Sequence, residues 1–142
     1  MAKPNKMQAA FTELTPLCKA MGMQVTDVGE VDATISMPYS VELIGDPDTG
    51  VVHGGAVSVL LDSVSGLAVM IHPDNIGNTA TIDLRIDYMR PAPPGQTLVA
   101  RAEVYHTTQT VAFTRATTWA DNPDKPIAQA TGAFVFKRKA DI

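Results

Sequence analysis

From Val51 to Ile71 the chain carries one ionised side chain, Asp62, in an otherwise apolar run, and directly afterwards its hydrophobic period drops to two. This change of period limits the possible folds more than any other feature. A helix from Gly54 to Ile71 would be about 27 Å long at 1.5 Å rise per residue. Its apolar positions go nearly all the way round, so it has to be enclosed by other structure. A run of about 18 apolar residues could also cross a bilayer, but His53, Asp62, Ser58, Ser63 and Ser65 argue against that. A carboxylate midway along a lone membrane helix is costly. A buried helix over residues 53–71, wrapped by a sheet, is the better reading.

The flanking segments supply the sheet. Val31, Ala33, Ile35 and Met37 alternate with Asp32, Thr34 and Ser36, which predicts a half-buried hairpin with residues 24–28 across Gly29-Glu30. Gly45-Asp-Pro-Asp-Thr-Gly50 is dense in turn formers and reads as a loop leading into the helix. From Thr79 onward Ile82, Leu84, Ile86 and Tyr88 are expected on one face of a strand, with Thr81, Asp83, Arg85 and Asp87 on the other. Pro91-Ala-Pro-Pro-Gly95 forces a loop, after which strands are expected over 98–106, 110–120 and 127–136. Phe11, Leu14 and Leu17 fall at helical steps within residues 1–21, which predicts an N-terminal helical segment. The order is an α+β pattern: helix, hairpin, long apolar helix, then consecutive antiparallel strands.

Composition narrows the class. With 142 residues and 45% hydrophobic content, the chain can bury a core as one domain over 1–142. Charged residues make up 18% and the net charge is −4, so the basic field needed for nucleic acid is missing. Cys18 has no cysteine partner and no metal-ligand spacing around it, so neither a disulfide nor a metal is expected. Gln8, Glu13 and Pro16 interrupt the apolar region a signal peptide would need. A cytoplasmic protein with no membrane association is expected.

Asp62 is the candidate catalytic group. Its neighbours at three and four residues are Ser58, Val59, Ser65 and Gly66, so no basic partner is at hand. A carboxylate among such neighbours is costly unless used, and such groups gather at active sites. His53-Gly54-Gly55 would place unpaired backbone N–H groups at the helix start, where the macrodipole favours a developing oxyanion. Gly54 and Gly55 also leave room for a ligand, although a close helix-to-sheet contact would call for the same residues. His53 fits a capping role as well as a chemical one. Nine residues separate His53 from Asp62, which places them on opposite helix faces and about 13 Å apart. If both serve one reaction, each site must join the helix start of one subunit to Asp62 of another, in a dimer or a homotetramer.

At these residues the chain resembles the hotdog-fold thioesterases, particularly the branch of the phenylacetate pathway and 4-hydroxybenzoyl-CoA thioesterase. The resemblance spans nearly the whole chain and rests on Gly50-Val-Val-His-Gly-Gly55, Leu60-Leu-Asp62, Gly66-Leu-Ala68 and Thr81-Ile-Asp-Leu-Arg-Ile-Asp-Tyr-Met-Arg-Pro91 with Gly95. It implies an antiparallel sheet wrapped around a central helix, with active sites at a dimer interface. It also implies that the Gly54 N–H polarises a thioester carbonyl and that Asp62 of the partner subunit activates water or attacks directly. Thr81 would hydrogen-bond to that carboxylate or the water, and His53 would place the thioester or protonate the leaving thiolate. General base and nucleophile both remain open for Asp62. Many relatives carry Asn where Asp46 stands, and an ionised Asp accepts hydrogen bonds but donates none.

The implied substrate is an aryl- or medium-chain acyl-CoA, with CoA belonging to the substrate and no separate cofactor. Arg90, Lys137 and Arg138 are the candidate phosphate contacts, and a solvated tail is the alternative for the last two. Phe11, Leu14, Leu43 and Leu61 are expected around the acyl group. The rival readings are a hotdog dehydratase or isomerase and a module that binds acyl-CoA without turnover. A Gly-x-Ser-x-Gly turn is absent, which argues against a serine hydrolase.

Overall fold

The computed structural model describes Phe11 and residues 15–140. Of the expected N-terminal segment it shows Phe11 and the short helix α1, Pro16–Ala20; residues 1–10 and 12–14, Leu14 included, lie outside the described residues. Strand β1, Gln24–Val28, and strand β2, Asp32–Met37, form the expected hairpin. Helix α2 runs from Gly54 to Met70, with His53 and Ile71 as its caps instead of its first and last turns. Strands β3 (Thr81–Tyr88), β4 (Leu98–Thr107), β5 (Val111–Trp119) and β6 (Ala128–Val135) complete the sheet.

All six strands are antiparallel to their neighbours, in the order β1-β2-β4-β5-β6-β3. This corrects a simple succession of strands after the helix. Only β4, β5 and β6 form a consecutive meander; β3 skips β4, pairs with β6, and becomes an edge. The proline-rich loop between β3 and β4, closed by Gly95 at φ 76, is too long and too stiff for a tight hairpin.

The inner sheet face explains why the helix fits. Ala33, Ala100, Ala102, Ala112, Ala116, Ala128 and Ala130 are all buried in the core, and their small side chains let the helix lie close to the sheet. Leu60, Leu61, Val64, Leu67 and Val69 fill that space with Ile35, Met37, Leu98 and Phe134. Each such leucine gains about 1.5–3 kcal/mol from burial. Leu43 and Leu61 therefore belong to the core, and Phe11 packs against it. A six-stranded antiparallel sheet wrapped around one long helix is the α+β hotdog fold. No helix among the described residues is long and apolar enough to cross a membrane.

His72 follows the C-cap of α2, where the helix dipole favours a charged ring. Burial outweighs it. The ring stands edge-on to Phe136 at 5.4 Å, and its Nδ1 accepts the Asp74 N–H at 3.1 Å. Desolvation holds the imidazole below the ordinary histidine value, opposed by Asp74 and assisted by Arg138. The unfolded ring therefore takes up its proton first, at about pH 6.5. Its contribution to stability is complete above that pH and is lost as the pH falls toward the lower folded value. The thermal midpoint should drop between about pH 7 and pH 5, and His72→Gln should flatten that drop in scanning calorimetry.

Candidate active site

The loop before α2 is tied down so that the helix starts at a fixed place. His53 N–H donates to Leu43 O at 2.7 Å, Val52 N–H to Ala92 O at 3.2 Å, and Gly45 N–H to Val51 O at 2.8 Å. Gly45 is required there, since a Cβ on it would lie 2.7 Å from the His53 Cα. Asp46 organises this loop from within: its two carboxylate oxygens accept from Asp48 N–H at 3.0 Å and Thr49 Oγ1 at 2.9 Å. Two acceptor oxygens suit that task, and the structure turns Asp46 into its own loop and not toward Gly54.

At the helix start, His53 is the N-cap and its Nδ1 accepts the Gly55 N–H at 2.8 Å. A neutral ring capping in this way carries its proton on Nε2. Gly55 is needed for the cap, because a Cβ there would lie 2.8 Å from Nδ1. His53 O accepts from Ala56 N–H at 2.9 Å and Val57 N–H at 3.5 Å. The Gly54 N–H has no acceptor among the described residues. One donor of the first turn is thus left open where the macrodipole is positive.

Asp62 lies eight residues along, about 12 Å of helix from Gly54. It is half-buried in the chain, on the least covered stripe of α2 with Ser58, Val59 and Ser63, and not enclosed by apolar groups as expected. Thr81 Oγ1 donates to its Oδ1 at 2.7 Å. Strict alternation along β3 would have pointed Thr81 away from the helix. A β-bulge between Thr81 and Asp83 breaks the alternation, so Thr81 sits opposite the core residue Phe134 while Ile82 is 56% exposed. The bulge re-aims a single side chain onto the carboxylate, and it corrects the expected inward position of Ile82.

A cavity of about 430 Å³ adjoins the helix start, lined by Val51, Val52, Gly54, Val57, Tyr88, Met89, Arg90, Pro91, Ala92 and Ile127. It brings Arg90 to the Gly54 end. Lys137 and Arg138 lie elsewhere. Arg138 pairs with Asp74 at 3.0 Å and donates to Thr107, beyond the C-terminal end of a helix about 25 Å long, and Lys137 packs against Gly77 near Asn75. Within one chain neither reaches Gly54. The sequence reading missed Tyr88 and Ser58. Tyr88 OH contacts Gly54 O at 3.1 Å and Ser58 Oγ at 2.5 Å, and Ser58 Oγ contacts Gly54 O at 3.1 Å. Alternation had placed Tyr88 among core-facing residues, and a Ser four residues into a helix carries no signal of its own. Among the described residues no cluster of His, Cys, Asp and Glu suits a metal.

This arrangement can polarise a carbonyl at the helix start and present a carboxylate held by one oxygen at a second place on the same helix. That is the equipment for acyl transfer to water. Residues 49–127 match the Thioesterase superfamily, and the chain belongs to that family of thioester hydrolases. A Halobacterium salinarum protein named as an esterase is 34% identical over 127 residues, 85% of this chain and 83% of its own length. The medium/long-chain acyl-CoA thioesterase YigI of Escherichia coli is 26% identical, covering 74% of this chain and 76% of its own. A mutant of the phenylacetic acid degradation protein PaaI from Thermus thermophilus superimposes with a TM-score of 0.74 at 27% identity, covering 86% of this chain and 98% of that one.

Capping and chemistry at His53 can be separated. His53→Ala should cost about 1 kcal/mol by loss of the cap, a fall in thermal midpoint on the order of 4 °C. His53→Asn supplies another capping acceptor and should recover most of that loss in thermal denaturation.

Proposed function

We propose that the protein hydrolyses the thioester of an aryl- or medium-chain acyl-CoA to the free acid and CoA. The observation that carries this reading is the pairing on one helix of an open Gly54 N–H with a carboxylate held by Thr81. Asp62 Oδ1 is occupied by Thr81, which leaves Oδ2 to take a proton from water as that water attacks the thioester carbon. The Gly54 N–H stabilises the oxyanion, and its collapse expels the CoA thiolate. His53, with its proton on Nε2, is suited to place the thioester or protonate the thiolate. Direct attack by Asp62 would instead form an anhydride that water then opens. The medium-chain acyl class follows the name of the Escherichia coli relative and the aryl class that of the Thermus protein.

Because Gly54 and Asp62 stand about 12 Å apart along the helix, the reading requires two subunits. Each site would combine Gly54 of one copy with Asp62 of the partner subunit, in a dimer or a homotetramer. The β3 edge, with unpaired backbone groups along Thr81–Tyr88, supports that assembly. Arg90, beside the cavity, is the proposed contact for the nucleotide phosphates, and Lys137 and Arg138 could contribute only from another copy. No cofactor apart from the substrate's CoA is needed, and one domain in the cytoplasm suffices.

Thiol release from a panel of acyl-CoAs, corrected for Cys18, should be strong for the wild type and lost by a factor of roughly 100 or more in folded Asp62→Asn. Full activity in that variant, or saturable binding of the panel without thiol release, would refute the reading. Gly54→Pro removes the open N–H at the one helical position that tolerates proline, after a residue already at φ −59 and ψ 134. It should also be inactive. Mixing the two inactive variants under subunit exchange should restore about a quarter of wild-type activity, since half of random dimers would hold one intact site of two.

A further inference from the structure

We propose that Tyr88 and Ser58 are positioning residues that pin the Gly54–Gly55 peptide and so fix the direction of the open Gly54 N–H; this rests on the thioesterase reading above. Two adjacent glycines have the widest backbone freedom in the chain. A carbonyl-binding N–H placed there loses its value unless the surrounding peptide planes are fixed. The structure holds two successive planes. The plane carrying the Gly54 N–H is anchored through His53 O by Ala56 and Val57. In the next plane, the Gly55 N–H is held by His53 Nδ1, and Gly54 O accepts the helical Ser58 N–H and, besides it, one proton from the hydroxyl pair.

A serine bonding back to the carbonyl four residues earlier is ordinary in helices, but the tyrosine contact is not. Tyr88 is 53% exposed, yet its OH lies on the backbone at the helix start, and its ring stands 3.5 Å from where a Gly54 Cβ would be. Two hydroxyls have two protons for three close contacts. The mutual contact, at 2.5 Å, is the shortest and uses one proton, so the other is left for Gly54 O. Either hydroxyl can be the one that donates. The arrangement is therefore redundant: with one hydroxyl removed, the other still reaches Gly54 O at 3.1 Å.

This redundancy yields a specific pattern. Tyr88→Phe keeps the ring and Ser58→Ala keeps the helix, and each alone should lower kcat less than about 3-fold. The double variant should lower kcat by roughly 10-fold or more, beyond the product of the singles, with KM within about 2-fold of wild type. In isotope-labelled protein, the Gly54 carbonyl carbon resonance should move clearly only in the double variant. A double variant with unchanged kcat, purely multiplicative losses, or a rise confined to KM would overturn the proposal. Were the wild type to release no thiol from any acyl-CoA, the hydrolase reading would fail by itself. The Gly54 resonance would still decide the pinning: a shift confined to the double variant upholds it and an unmoved signal overturns it.

Discussion

The structure depends on one conflict, between a helix too apolar to be left in water and two polar places on that helix that stay uncovered. Burying α2 against an alanine-rich sheet face resolves most of it. What stays less covered is the helix start and the stripe through Ser58, Val59, Asp62 and Ser63. The polar groups of α2 fall at these two places because the enclosed faces have no solvent to hydrate them. Even so, the buried hydroxyls of Ser65 and Thr114 have no hydrogen-bond partner among the described residues.

The helix start shows how short-range chemistry can leave a single group unsatisfied by design. Glycine at 45 admits the backbone of His53, glycine at 55 admits its ring, and Asp46 closes the preceding loop with both oxygens. Each neighbouring donor or acceptor is consumed locally. The Gly54 N–H is what remains, and its strength as a donor grows with the bonds that polarise the carbonyl of the same peptide.

Much of this was legible in the sequence. Period and turn chemistry located the hairpin, the long helix and the later strands, because alternation follows directly from having one wet face and one dry face. Asp62 and His53-Gly54-Gly55 stood out by being polar or small in an apolar run. Strand order was not legible, since pairing of β3 with β6 is set by long-range packing and leaves no local mark. Thr81 and Tyr88 show the same limit on the scale of single residues. The bulge at Thr81–Asp83 inverts the side-chain pattern on one side of it, and no composition rule announces it. Arg138 reads from sequence as a phosphate contact or a solvated tail cation; its bonds to Asp74 and Thr107 come from segments distant in sequence.

Strand β3 carries Thr81 at one end and Tyr88 at the other, so one edge strand touches α2 at both the carboxylate and the helix start. Its sheet partner is β6, with Tyr88 opposite Ala128. During synthesis on the ribosome, α2 and β3 emerge well before the segment that anchors β3. A nascent chain therefore holds Asp62 and Gly54 before the strand that touches both is fixed, and those contacts settle only when residues 128–135 are free to pair. Contact between β3 and both places on α2 thus arrives last in the folding of each new chain, after the strands that anchor it have been made.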